Sequence, residues 1–329
     1  MNLPERISLA HLPTPIQPLD RLSRKLGITL SLKRDDHTGI EFSGNKVRKL
    51  EFAVKEALDQ GAEVLITCGG IQSNHARATA AVARRLGLDC HLVLRGTPDI
   101  PDHGNLLLDQ LLGAALTFMD PEDFNDRHME RMVSLQAAYA AEGKKAYLLP
   151  IGASNAIGTF GYMAAYEEIL LQEQNQSTVF DTIVCAVGSG GTHAGLVLGN
   201  LIHGNRHQII GIPIADDAAH FAPIIRGLVD ECLARVAPDI SLPEKAVQFI
   251  DGYAGRGYAL NTPEEMDFIR RIARDEGVVL DPVYTGKAFR GLVTELEKGS
   301  LPTARNILFI HTGGLYGLFP KASEFNFPG

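Results

Sequence analysis

The sequence predicts an α/β protein built on open parallel sheets, and three observations predict it. Short apolar segments alternate with amphipathic ones along most of the 329 residues, which is the pattern of βαβ units. Several apolar segments run straight into glycine, hydroxyl or amide residues, the places where open α/β sheets hold ligands. No period of about 20–50 residues repeats, which sets solenoids and propellers aside.

Bulk properties narrow the function. The length allows about two domains, or one large unit with a second lobe. Hydrophobic residues make up 45% and charged residues 21%, an ordinary soluble balance that excludes disorder and fibrous repeats. The 31 basic against 39 acidic residues give a net charge of -8, so nothing favours nucleic acid or an anionic membrane, and small molecules are the expected ligands. Cys68, Cys90, Cys185 and Cys232 lie far apart with no CxxC pair, which suits reduced core thiols rather than a zinc site or a disulfide framework. The first ten residues include Glu5 and Arg6 and no signal-like apolar run, and no uncharged stretch reaches about 18 apolar residues; a cytoplasmic location is expected.

Taken in order, Pro13-Thr14-Pro15 favours extended backbone, Thr29 to Lys33 reads as a short strand, and Arg34-Asp35-Asp36 as a polar turn. A helix is predicted over about 46–60, a strand over Val64 to Cys68, a helix over about 73–86 and a strand over Cys90 to Leu94. Two further alternations lead to Tyr147-Leu148-Leu149. The second half supplies strands at Thr182 to Val187, Gln208 to Pro213, Val247 to Ile250, Val278 to Leu280 and Asn306 to Ile310. Thr262-Pro263-Glu264-Glu265 marks a helix start, with a capping hydroxyl, proline at the first helical position and glutamate at the third.

The turns between these elements carry the chemistry. Ser43-Gly44-Asn45-Lys46 ends a tight small-residue turn and opens a helix; it is either an ordinary helix start or the seat of a partly desolvated lysine that loses its proton well below about 10.4 and becomes a nucleophile. Gly69-Gly70-Ile71-Gln72-Ser73-Asn74-His75 follows a strand and leads into a helix, where Ser73 and Asn74 either cap the helix or offer amides to a carboxylate or phenolate oxygen. Gly188-Ser189-Gly190-Gly191-Thr192 is either a tight turn or a backbone cradle for phosphate. It is no dinucleotide fingerprint, because His193 stands where the third glycine falls. Asp281-Pro282-Val283-Tyr284-Thr285-Gly286-Lys287 and His311-Thr312-Gly313-Gly314 point to the same edge of a sheet. Tyr258 sits in a glycine-rich loop of the kind that covers active sites, although as a lone aromatic it reads as a packing residue. His75, His193 and His311 lack the companion ligands of a metal site.

These six motifs, including Leu32-Lys33-Arg34-Asp35-Asp36, resemble in order and over nearly the whole chain the pyridoxal phosphate enzymes of fold type II, in the branch of aminocyclopropanecarboxylate deaminase and D-cysteine desulfhydrase. The resemblance implies a tryptophan synthase β-like fold with pyridoxal 5'-phosphate in the cleft between two open parallel-sheet α/β domains. The large domain would comprise 1–45 and 156–329 and the small one 46–155. Lys46 resembles the Schiff-base lysine and proton acceptor, with Asn45 beside it; Asn74 resembles the donor to the ring 3-oxygen; Gly188, Ser189, Gly190, Gly191 and Thr192 resemble the phosphate cup. Ser73, Asn74 and His75 resemble the substrate-carboxylate site, and Tyr284 and Tyr258 the two active-site tyrosines. Ser43 departs from the glycine usual before Gly-Asn-Lys.

Within the branch, the deaminases typically carry glutamate at the position of Thr285 and leucine at that of Thr312, so the resemblance is to the desulfhydrases. The implied reaction is β-elimination from D-cysteine to pyruvate, hydrogen sulfide and ammonia, by a homodimer. A sulfo-lyase acting on L-cysteate, a 1-aminocyclopropane-1-carboxylate deaminase and a non-catalytic small-molecule binder are the alternatives.

Overall fold

The computed structural model describes residues 3–99, 103–176 and 178–327. Among them the chain runs β1 (Ile16–Pro18), α1 (Asp20–Leu26), β2 (Thr29–Lys33), α2 (Lys46–Asp59), β3 (Val64–Gly70), α3 (Asn74–Arg85), β4 (Asp89–Arg95), α4 (Asn105–Leu111), β5 (Ala115–Met119), α5 (Pro121–Ala141), β6 (Ala146–Leu148), α6 (Ala156–Gln176), β7 (Thr182–Val187), α7 (Gly191–Ile202), β8 (Gln208–Pro213), α8 (Ala218–Val236), β9 (Gln248–Phe249), α9 (Pro263–Glu276), α10 (Thr285–Glu297) and β10 (Asn306–Ile310).

The strands pair into two sheets, one in the order β1-β2-β10-β7-β8-β9 and one in the order β5-β4-β3-β6. The smaller sheet is wholly parallel, and the larger is parallel apart from its edge pair β1–β2. Both faces of each sheet are covered, so its central strands read as apolar runs, with successive residues entering different cores. In β7, Ile183, Cys185 and Val187 enter a core that contains residues of α2, α3, α6, α7 and α8, whereas Val184 and Ala186 enter a second core with residues of α9 and α10. In β3, Leu65 enters the first of these cores, while Val64, Ile66 and Cys68 pack with Phe124 and Met132 of α5. One core is thus shared by both sheets. The four cysteines are buried and free.

Helix α9 starts as its sequence directs: the Thr262 hydroxyl accepts from the Glu265 amide and the Glu265 side chain accepts from the Thr262 amide. Two expectations need correction. Residues 278–280 form no strand. Val278 and Leu280 are buried under the larger sheet, but they leave the left-handed turn of Gly277 and run into Pro282, and the Val279 carbonyl accepts from a side chain, His311 Nε2, at 3.1 Å. Apolar spacing there reflects packing against helices rather than a ladder. The short edge strand β1, between prolines, adds the antiparallel pair that the sequence reading lacked.

Helix α2 is anchored by a buried ionic cluster. Arg48 donates to both carboxylate oxygens of Asp35, at 2.8 and 2.9 Å, and to Glu168 of α6 at 3.0 Å. Lys33 of β2 also pairs with Glu168. Burial opposes the Asp35 charge, but Arg48 and then Lys33 more than offset it and hold the carboxyl below the usual range. The helix that begins with Lys46 is therefore fixed to the larger sheet and to α6.

Candidate active site

A cleft of about 270 Å3 opens at the carboxyl ends of strands from both sheets, with Gly70 from β3, Arg95 from β4, Gly188 after β7, Ala215 after β8 and Thr312 after β10 on its walls. This is where open α/β sheets hold ligands.

The turn before Lys46 is joined to two of those loops. Gly44 has φ 109°, and a Cβ there would lie 2.7 Å from the Thr312 carbonyl, so only glycine fits. The Asn45 amide donates to the same carbonyl at 3.1 Å, and Asn45 Nδ2 donates to Thr192 Oγ1 at 2.9 Å. Ser43 has no positive φ and donates to the Asp36 carbonyl at 3.1 Å, so serine in place of the usual glycine strains nothing. Lys46 lies 5.9 Å from the Tyr284 ring centroid, and among the described residues its amine has no hydrogen-bond partner. Burial lowers its pKa to about 8, with Asp281 opposing the shift. From about a tenth to about half of such amines are neutral between pH 7 and 8.

Gly188, Ser189, Gly190 and Thr192 line the cleft, and α7 starts at Gly191 with its first amides at the loop. Two of its glycines leave no room for a side chain: a Cβ on Gly188 would meet the Tyr284 ring at 2.8 Å, and one on Gly191 would meet Lys49 Nζ at 2.6 Å. Gly191 itself stands back from the cleft wall, against Lys49. That lysine was not singled out from the sequence. It lies one turn of α2 beyond Lys46 and is fully buried, donating to the Gly152 carbonyl and, at 2.7 Å, to the Ser154 hydroxyl, which lies 2.7 Å from that of Ser189. Burial, and then the charge of Lys46, push its pKa well below the ordinary range. A phosphate dianion beside it would supply the opposite charge and favour the ammonium.

On the opposite wall Ser73 caps α3, its hydroxyl accepting from the Ala76 amide at 3.2 Å. Capping and cleft exposure coexist, since Ser73, Asn74 and His75 all line the cleft. The side-chain oxygen of Asn74, Oδ1, accepts from Asn105 Nδ2 at 3.0 Å. The Thr67 hydroxyl donates to the Leu149 carbonyl, so it accepts from His75 Nε2, 2.9 Å away. Burial first, then the charges of Lys46 and Lys49, keep His75 neutral.

Tyr258 is more than a packing residue: its hydroxyl lies 2.9 Å from that of Tyr284, with the two rings edge to face at 5.9 Å. Burial raises the pKa of both phenols, so both keep their protons at neutral pH.

Of the two threonines that bear on the branch, only Thr312 lines the cleft. The Thr285 hydroxyl turns away, donating to Asp281 Oδ1 at 2.7 Å and accepting from the Asp281 amide at 2.8 Å. His193 is buried against Phe249, and burial lowers its pKa to about 4. Among the described residues no group of three His, Cys, Asp or Glu side chains could hold a metal ion, and no helix is long and apolar enough to cross a membrane.

A family model described as pyridoxal-phosphate dependent enzyme matches residues 7–313. The chain is 43% identical over 326 residues to the mitochondrial bifunctional D-cysteine desulfhydrase/1-aminocyclopropane-1-carboxylate deaminase of Arabidopsis thaliana, covering 96% of this chain and 80% of that one. It is 38% identical to D-cysteine desulfhydrase of Klebsiella pneumoniae over 95% of each chain. A crystal structure of an ACC deaminase homologue superimposes with a TM-score of 0.89 at 40% identity, covering 98% of this chain and 95% of that one.

The cleft fits pyridoxal phosphate. A partly deprotonated amine stands ready for an aldehyde, and a glycine-rich loop at a helix start, backed by a buried lysine, suits a phosphate.

Proposed function

The chain belongs to the pyridoxal-phosphate-dependent enzymes, and we propose that this lyase removes sulfide from D-cysteine by β-elimination, giving pyruvate, hydrogen sulfide and ammonia. The observation that carries the reading is the Lys46 amine, free of hydrogen bonds among the described residues and with a pKa of about 8, beside the hydroxyl-linked pair Tyr284 and Tyr258. A base and two protonated phenols in one cleft are what an elimination needs.

When bound, pyridoxal phosphate supplies a ring that takes up the electron pair left as the Cα–H bond breaks. Gly188 to Thr192 and Lys49 hold its phosphate, and Asn74 serves its ring oxygen. The start of α3, at Ser73 to His75, binds the substrate carboxylate and turns the α-hydrogen towards Lys46, which removes it. Tyr284, coupled to Tyr258, donates a proton to the departing sulfur. Thr312 offers the cleft a neutral hydroxyl, which favours the desulfhydrase over the deaminase. In domain terms, 46–155, which holds every strand of the smaller sheet, is the small domain, and 1–45 with 156–329 the large one.

The test is to incubate the purified yellow protein with D-cysteine, L-cysteine, L-cysteate and 1-aminocyclopropane-1-carboxylate, and to measure pyruvate or 2-oxobutyrate together with sulfide and sulfite. Pyruvate with equimolar sulfide from D-cysteine is expected. No pyruvate from D-cysteine, or 2-oxobutyrate as the dominant product, overturns the reading.

A further inference from the structure

Asn105, at the start of α4, is fully buried, and every polar atom of its side chain is committed. Its Oδ1 accepts from Arg77 Nε at 3.0 Å, and its Nδ2 donates to the Gln72 carbonyl at 2.9 Å and to Asn74 Oδ1 at 3.0 Å. Its backbone amide donates to Gln72 Oε1 at 2.8 Å, which seats α4 on the turn between β3 and α3.

A side-chain amide can be turned end for end, but here the partners allow one orientation. A guanidinium only donates and a backbone carbonyl only accepts, so Arg77 must face the oxygen of Asn105 and Gln72 its nitrogen. The second N–H of Asn105 then faces Asn74, and the atom of Asn74 that meets it must be the oxygen. The nitrogen of Asn74 is left for the cleft that this residue lines, and among the described residues it has no hydrogen-bond partner. Arg77, which starts this relay, is itself buried, with its guanidinium over the Tyr316 ring at 5.1 Å. Its other nitrogens donate to the carbonyls of Glu41 and Ser43, the latter at 2.8 Å, so the residue that orients Asn105 also ties down the turn that ends in Lys46.

We propose that Asn105 is a positioning residue: held by Arg77, it fixes the amide of Asn74 with the nitrogen towards the cleft, so that Asn74 donates to the 3-oxygen of pyridoxal phosphate. The proposal rests on the reading of Asn74 given above and assigns the group that sets its polarity. Left free, a terminal amide presents its oxygen as readily as its nitrogen, and an amide oxygen repels a negatively charged ring oxygen.

The test titrates the apoenzymes of wild type, Asn74→Ala, Asn105→Asp, Asn105→Ala and the combination of Asn74→Ala with Asn105→Asp, each shown by thermal melting to be folded. The ligands are pyridoxal 5'-phosphate and 3-deoxypyridoxal 5'-phosphate, which lacks the ring oxygen. Asn105→Asp keeps an acceptor for Arg77 but offers Asn74 only an oxygen, so the amide of Asn74 turns over. It is expected to weaken pyridoxal phosphate about tenfold, the scale of a hydrogen bond to a charged acceptor, and to leave the analogue within twofold. Asn105→Ala frees the amide without reversing it and is expected to lose about threefold; it carries the same comparison if Asn105→Asp does not fold. In the Asn74→Ala background, Asn105→Asp is expected to change neither affinity beyond about twofold. Equal weakening of both ligands, a further tenfold loss in the combined variant, or wild-type affinities in the Asn105 variants overturns the role of Asn105 alone. An Asn74→Ala enzyme that does not distinguish the two ligands overturns the reading of Asn74 and this role with it.

Discussion

Covalent attachment of pyridoxal phosphate to the apoenzyme is expected to accelerate with pH through a half-point near 8, because only the neutral Lys46 amine attacks the aldehyde. At pH 7.5 an amine with a pKa of about 8 is about one quarter neutral, against about one in a thousand for an ordinary lysine near 10.5, a gain of roughly two hundredfold. The cause is burial, opposed by the Asp281 carboxylate. Asp281→Asn is therefore expected to move the half-point lower still, with one oxygen kept to accept from the amides at the start of α10. Stopped-flow absorbance after mixing apoenzyme with the cofactor over pH 6.5 to 10.5 measures it. The same shift acts on stability. The unfolded chain holds the Lys46 proton up to about 10.5 and the folded apoenzyme only to about 8, so folded stability rises with pH across that window. Below pH 8 the lysine costs up to about 3 kcal/mol, and Lys46→Met is expected to stabilise the apoenzyme there. A half-point of 10 or above, or an upward shift in Asp281→Asn, refutes the reasoning.

Three further outcomes follow from the packing. Lys49→Met is expected to weaken pyridoxal phosphate about 10- to 100-fold while leaving pyridoxal, which has no phosphate, within twofold; fluorescence titration of apoenzyme separates the two. Arg48→Met leaves Asp35 buried without its main cation and is expected to cost about 3–5 kcal/mol in urea unfolding, with cofactor affinity falling as α2 loosens. Asp109 is buried, among the described residues neither of its oxygens has a hydrogen-bond partner, and burial raises its pKa well above the usual range. The raised value means stability is lost as pH rises, so Asp109→Asn is expected to stabilise the fold by about 1–3 kcal/mol, more at pH 8 than at pH 5 by thermal melting.

The parallel sheets were legible because strands covered on both faces must be apolar along their length, and the periods of Thr182 to Val187 and Asn306 to Ile310 state this directly. Residues 278–280 show the limit of that signal: an apolar triplet packed beneath a sheet has the same spelling as a strand within it. The cleft residues were legible where a backbone requirement shows in the sequence. Gly44, Gly188 and Ser73 stand where the chain needs a positive φ, an empty Cβ position or a helix cap, and each requirement narrows the residue types allowed.

Lys49 and Arg95 carry no such mark. A lysine one turn into an amphipathic helix and an arginine at a strand end are ordinary in spelling, and only folding brings their neighbours against them: the Gly191 turn for one, the Tyr258 ring for the other. Thr285 shows the reverse. Its neighbour Tyr284 lines the cleft, yet one residue along the first turn of α10 is enough to point the hydroxyl at Asp281, so this position does not itself reach the cleft wall. Side chains on the cleft wall arrive from different strands, Arg95 from β4 and Thr312 from the loop after β10, and a single stretch of sequence cannot display their convergence.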